Sequence, residues 1–200
     1  MASYIKHTLA GIGLVAAASL AHAAPVTVTG VTTTGTFSGS TAVLTDSVFP
    51  ANGTAWNAAS NVSWNGLGTV FTLAFDQLYT LQDVTLTVDH NDFYQVQISQ
   101  DGTTWNTLFT VLAFEGASTW GTDTFTSNPA GTGTYSASID FAPTLAKYAR
   151  IYAVAGDDAY SVGELSFTGV AAVPEPASLA LIGAGLATVG LIARRRKPQA

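Results

Sequence analysis

The chain has 200 residues, 48% hydrophobic and only 10% charged, with thirteen acids against seven Lys and Arg and no cysteine. Soluble chains carry roughly a quarter charged residues, so this balance implies apolar ends joined to a smaller polar domain. The lack of cysteine excludes disulfides, thiolate metal sites and cysteine nucleophiles, and the acidity excludes nucleic acid, whose binding needs clustered cations facing phosphates.

At the N-terminus, Lys6 precedes an apolar run from Leu9 to Leu20, and Ala21-His22-Ala23 supplies small residues for cleavage. Residues 1–23 therefore read as a signal peptide, leaving Ala24-Pro25 as the new terminus. Residues 24–172 follow as one domain of about 150 residues, long enough to bury a core without disulfide staples. It holds only Lys147 and Arg150 against twelve acids, a net charge near −10. That charge suits a bound cation or a neutral ligand such as a sugar, and also serves solubility.

Within the domain, Thr27–Ser47 is rich in Thr, Ser and Gly and reads as loop or polar edge strand. Phe71, Leu73 and Phe75 then alternate with Thr72 and Ala74, and Val84, Leu86 and Val88 with Thr85 and Thr87. Tyr94, Val96 and Ile98 alternate with Gln95, Gln97 and Ser99. Asp101-Gly102 follows as a hairpin turn, because Gly tolerates the positive φ such turns demand. Gly116–Ser138 is likewise rich in Thr, Ser and Gly and reads as loop or polar edge strand, and Tyr135, Ala137, Ile139 and Phe141 form a last period-two run. Runs of period two rich in Thr, Val and aromatics predict an all-β domain, an antiparallel β-sandwich of jelly-roll type. No stretch of the domain has helical spacing.

The C-terminal segment, residues 173–200, has three parts. Val173-Pro174-Glu175-Pro176 is held extended by its prolines; Ala177–Ala193 is an uncharged 17-residue stretch, at the short limit for a transmembrane helix; Arg194-Arg195-Arg196-Lys197 ends it. A basic cluster stays cytoplasmic, so the span anchors the domain outside the inner membrane. In order and place this tail resembles the PEP-CTERM sorting signal. The resemblance implies an exosortase as sorting partner and processing near the motif. It further implies delivery to the cell surface or extracellular matrix of a Gram-negative bacterium that makes exopolysaccharide.

A second resemblance lies in the domain. Leu44-Thr45-Asp46, Trp56 and Phe71–Phe75, then Tyr94–Trp105, then Tyr148–Tyr152 with Val162-Gly163-Glu164-Leu165, are similar to discoidin-like, galactose-binding-like domains over residues 40–169. The terminal cysteines of many such domains are absent. The resemblance implies a structural Ca²⁺ site built from an early loop and an acid on the last strand, here Asp46, Asn52, Thr54 and Glu164. Calcium takes six to eight oxygens, many from backbone carbonyls, which an Asn/Gly loop can provide. The alternative is that Asp46 caps a turn while Glu164 pairs with Arg150 or Lys147.

Trp56, Trp64, Trp120 and Tyr160 lie in loop-like sequence beside Asn, Asp and Gly. Sugar rings stack on aromatic faces while polar neighbours hold hydroxyls, so extracellular polysaccharide is the expected partner. The expected ligand residues are Trp64, Trp120, Tyr160, Asn91, Asp92, Asp157 and Asp158; the resemblance implies that Trp105 and Trp56 are packing residues. Catalysis has little to work with. His90 is the sole histidine of the domain, no Gly-x-Ser-x-Gly elbow occurs, and only carboxylate pairs such as Asp89 with Asp92, or Asp157 with Asp158, offer a glycan hydrolase. The expectation is a non-catalytic carbohydrate-binding protein, the alternative a structural matrix protein without specific ligand.

Overall fold

The computed structural model describes residues 22–172 and, in the tail, residues 182, 183, 185, 186, 188 and 189, which are helical. The signal peptide apart from its last two residues, the motif Val173–Pro176, and Arg194, Arg195 and Arg196 lie outside the described residues. Among the described residues no helix is long and apolar enough to cross a membrane.

Ten strands make up the described domain: β1 (Ala24–Pro25), β2 (Val28–Thr34), β3 (Val62–Asn65), β4 (Val70–Asp89), β5 (Phe93–Ser99), β6 (Asn106–Val111), β7 (Thr122–Thr126), β8 (Thr134–Tyr135), β9 (Thr144–Ala155) and β10 (Ala159–Ala171). All pair antiparallel except β7 with β8. The 20-residue β4 organises the rest. Its first half, Val70–Ala74, lies between β2 and β9, and β9 continues to β5 and β6. Its second half lies between β10 and β7. The register with β9 breaks between Ala74 and Tyr79, where Asp76 and Gln77 turn outward. A bulge of this kind bends and twists a strand; beyond it Tyr79–Leu81 pair with β9 again while β10 takes the other edge of β4. The result is consistent with a β-sandwich.

The alternating residues expected in β4 and β5 do face inward. Phe71, Leu73, Phe75, Leu86, Tyr94 and Val96 join Ile151, Val162 and Leu165 in one buried cluster. The turn after β5 forms as the sequence implies. Gly102 takes φ +76°. Ser99 Oγ accepts from Gly102 N at 2.9 Å, while Asp101 Oδ1 accepts from Thr103 and Thr104 N at 2.8 and 2.7 Å. Those amides hold the Asp101 carboxyl well below the usual carboxylate range. Trp105 lies under the Arg150 guanidinium, 4.3 Å from its ring centre, and Arg150 also donates to Gln97 Oε1.

Two segments differ from expectation. The run Tyr135–Phe141 is not a strand beyond Tyr135; residues Ala137–Ile139 form a 3-10 turn. Ser136 and Ser138 hydroxyls both donate to Glu115 Oε2, and this anchoring curls the backbone while still burying Ile139. Conversely, the polar segment Gly116–Ser138 contains β7, whose five residues are all buried. Its threonines are admitted to the interior by pairing with those of β4: Thr87 with Thr124 at 2.8 Å and Thr85 with Thr126 at 3.3 Å. Thr27–Ser47 resolves into β2 and a 3-10 turn, Thr41–Leu44.

Candidate functional site

Four loops meet at one end of the domain: residues 51–61 before β3, the turn 90–92 between β4 and β5, residues 112–121 before β7, and the turn 156–158 between β9 and β10. They enclose a cleft of 320 Å³ lined by Trp56, Asp89, His90, Asn91, Trp120 and Asp157, among others. Trp120 is 61% exposed. Asn91 Nδ2 donates to Asp157 Oδ2 at 2.8 Å, so two rim residues from different turns hold each other. Phe114, 78% exposed, stands edge-on to the His90 ring at 6.1 Å. His90 N donates both to Gly121 O and to its neighbour Asp89 Oδ1, tying the turn to the Trp120 loop.

Below the cleft lies an aromatic floor. Trp64 (3% exposed) and Tyr160 (1%) pack against each other at 5.8 Å and both against Tyr94 at 6.3 Å. Neither therefore offers a free face for a sugar; the expectation that they are stacking platforms is corrected. The reason is register: Trp64 pairs with Tyr160 across β3 and β10, and both rings turn inward.

Asp92 is also corrected from rim to interior. It is fully buried, its Oδ1 accepting from Asp157 N at 3.2 Å and its Oδ2 from the Tyr94 hydroxyl at 3.3 Å. Tyr94 Oη in turn accepts from Ser161 N at 3.0 Å. Asp92 thus fixes the turn that carries Asp157. Gly156, at φ +153°, is required there, because a Cβ would overlap Asp92 Oδ1. Burial pushes the Asp92 carboxyl up to about 7 and Asp89 up to about 6, since a charge in a dry site is costly. Asp157 and Asp158 are both exposed; Asp158 takes φ +72° and its carbonyl accepts from Gly66 N and Asn65 Nδ2.

Of the expected ligand set, the structure brings Trp120, Asn91 and Asp157 to one cleft, leaves Asp158 beside it, and withdraws Trp64, Tyr160 and Asp92. The expected ligand set left out four residues of this end: Trp56, assigned to packing by the resemblance; Asp89, considered only in a carboxylate pair; His90, considered only for catalysis; and Phe114. Trp56 carried a signal, standing in the same Asn/Gly loop as Asn52-Gly53. The position of Phe114 carried none, because it stands 24 positions from His90 in sequence.

Of the four expected calcium ligands, Asp46 and Glu164 come together. Glu164 is buried; its Oε2 accepts from Ser47 N at 3.1 Å, and its Oε1 has no partner among the described residues. Burial, with the Asp46 charge beside it, pushes this carboxyl up to about 7. Arg150, occupied by Trp105 and Gln97, is engaged elsewhere. An orphaned buried carboxylate oxygen next to a second carboxylate is the part of the expected cation site that assembles; among the described residues no group of three or more acidic or histidine side chains gathers there. Asn52 and Thr54 side chains do not converge on it. Asn52 Oδ1 accepts from Thr124 N at 3.1 Å and Thr54 Oγ donates to Ala51 O at 2.6 Å, so the loop uses them to hold its own shape.

Residues 172–197 match the PEP-CTERM protein-sorting motif. No curated protein matches the chain. Among solved structures, the chain is similar to a truncated AlyQ with CBM32 and alginate lyase domains: TM-score 0.49 and 14% identity, covering 76% of this chain and 34% of that one. It is similar to the CBM32 of AlyQ in complex with 4,5-unsaturated mannuronic acid, with TM-score 0.41, 16% identity and coverage of 72% and 97%. It is similar too to CBM32-3 from a family 31 glycoside hydrolase of Clostridium perfringens: TM-score 0.35, 20% identity, coverage 55% and 74%. The tail thus carries the sorting motif its sequence resembles, and each of these three structures contains a CBM32 domain.

Proposed function

We propose that the protein is an exported, non-catalytic carbohydrate-binding protein with a jelly-roll domain, whose glycan site is the cleft between Trp56 and Trp120. The single observation that carries this reading is Trp120: a large ring, 61% exposed, held in a concave site rimmed by Asn91 and Asp157. An exposed aromatic face beside fixed amide and carboxylate groups is what a pyranose needs, apolar C–H face against the ring and hydroxyls to the rim. The aromatic floor and the Asp92–Tyr94 hydrogen bonds make the site rigid before ligand arrives, which limits the entropy lost on binding. The burial of Asp92, and the engagement of both Asp157 oxygens by Asn91 and Ala159 N, support binding rather than hydrolysis.

The sorting motif supports export, recognition by an exosortase and processing at the tail, delivering the domain to a polysaccharide-rich exterior. A Ca²⁺ ion held by Asp46 and Glu164 would neutralise two adjacent carboxylates and pin the segment after the 3-10 turn to β10; its role is structural.

Glycan-array and affinity-gel binding test the reading. Wild-type protein retains on a polysaccharide gel, and Trp120→Ala weakens that binding by at least tenfold with an unchanged melting temperature. No retention on any polysaccharide would reject the reading in favour of a purely structural matrix role. Mass spectrometry of the native protein checks the sorting: a C-terminus near Glu175 is expected, and an intact Ala200 contradicts processing.

A further inference from the structure

A second cleft, of 460 Å³, adjoins the first and has no place in a site for one sugar. It is lined by Thr36, Phe37, Ser38, Ser63, Trp64 and Asn65, together with Trp56 and Asn57. Trp56 and Asn57 line the first cleft as well, so one tryptophan separates and serves both. The clefts also join along the sheet: Asn65 of the second pairs with Ala159 of the first across β3 and β10. The second cleft has its own aromatic wall, Phe37, packed edge-on to Phe71 at 5.2 Å. Trp64 forms part of the wall but is almost wholly buried, and its Nε1–H, buried with it, has no acceptor among the described residues.

We infer that the two clefts form one trough, and that it binds the interior of a glycan chain across at least two successive sugars, a chain that is neutral or cationic. This rests on the glycan reading above and deepens it. Phe37, Trp56 and Trp120 give successive rings their apolar surfaces, and Asn57 and Asn65 give hydroxyls polar partners along the second cleft. Each cleft falls within the range of volumes that hold small ligands, so a single monosaccharide leaves one of them unfilled. The charge follows from the lining. Asp89 and Asp157 stand in the first cleft, and no Lys or Arg lines either one; the two cations of the domain, Lys147 and Arg150, lie on β9. A uronate chain would meet like charge at close range and find no counter-ion, whereas an amine would find carboxylates.

The test uses length ladders, monomer to hexamer, of chitin, chitosan and alginate oligosaccharides as neutral, cationic and anionic probes, titrated by calorimetry and tryptophan fluorescence. Affinity for chitin or chitosan oligomers is expected to rise at least tenfold from monomer to trimer, with alginate at least tenfold weaker at every length. Ser38→Trp, which fills the second cleft, should bring the trimer back to the affinity of the monomer while leaving the monomer unchanged. Thr36→Trp, at another exposed position of that cleft, repeats the test should the first variant fold poorly. Equal affinity at all lengths, or trimer binding untouched by both fillings, overturns the trough; monomer binding that Trp120→Ala abolishes would then leave the single-cleft reading standing. Alginate bound as tightly as chitosan overturns the charge argument. Failure of every ladder to bind overturns the trough and, with a blank glycan array, the glycan reading too.

Discussion

Raising the pH from 5 to 8 should destabilise the domain, and Asp92 is the residue that shows it most clearly. Its carboxyl rises from 3.8 in an unstructured chain to about 7 in the fold because it is buried. A folded pKa above the unfolded one means that the native state holds the proton more tightly. Stability is then fully present below the unfolded value and is lost as pH rises through the folded value. At about 1.4 kcal/mol per pH unit, ionising Asp92 within the fold costs on the order of 4 kcal/mol in full. Between pH 5 and pH 8 the loss is about 2.5 kcal/mol, since the group is already partly favoured to ionise in the unfolded chain at pH 5. Asp89, raised to about 6, adds to the fall in the same direction over the lower part of that window. The assay is urea denaturation followed by tryptophan fluorescence at both pH values, with chelator present so that no cation occupies Glu164. Asp92→Asn cannot ionise, and its stability should fall by about 2.5 kcal/mol less over the same interval. Wild-type protein that is as stable at pH 8 as at pH 5 would refute the reasoning, as would an Asn variant with an undiminished slope.

Trp64→Ala should cost about 3–5 kcal/mol of stability, because it empties a site in the aromatic floor, whereas Trp120→Ala should cost little; thermal denaturation of the two distinguishes floor from platform. Gly156→Ala should lower the melting temperature sharply and weaken glycan binding, since the added methyl overlaps Asp92 and displaces the turn carrying Asp157; equal binding and stability would show that the turn gives way freely. Added Ca²⁺ should raise the melting temperature of wild-type protein but not of Glu164→Gln, and a wild-type transition unmoved by millimolar Ca²⁺ rejects the cation site.

Some of this protein is legible along the chain, and some is not. Phe71, Leu73 and Phe75 announce a half-buried strand because a pleated backbone turns alternate side chains to one face, whatever the rest of the chain does. The Asp101-Gly102 turn and the Pro-Glu-Pro tail are equally local, set by the φ angles that glycine and proline allow. The limits of that logic show at Tyr135–Phe141, where the same alternation is overridden by two serine hydroxyls reaching Glu115. They show again at β7, whose threonines look like surface until Thr85 and Thr87 of a distant strand pair with them.

The site is the part that only tertiary structure decided. Trp64, Tyr160 and Trp120 are equivalent by composition and neighbourhood, yet two form a floor and one a platform. What separates them is strand register, which turns two rings inward where β3 meets β10 and leaves the third on a loop. Likewise Asp92 and Asp157 look alike in sequence, but one is enclosed by Tyr94 and Gly156 while the other faces water. By itself the sequence determined an exported β domain with a sorting tail, because period, charge and targeting signals are read locally. Which aromatic and which acid faces the cleft depends on segments more than fifty residues apart meeting at one end of the domain, as Asn91 meets Asp157 and Trp56 meets Trp120.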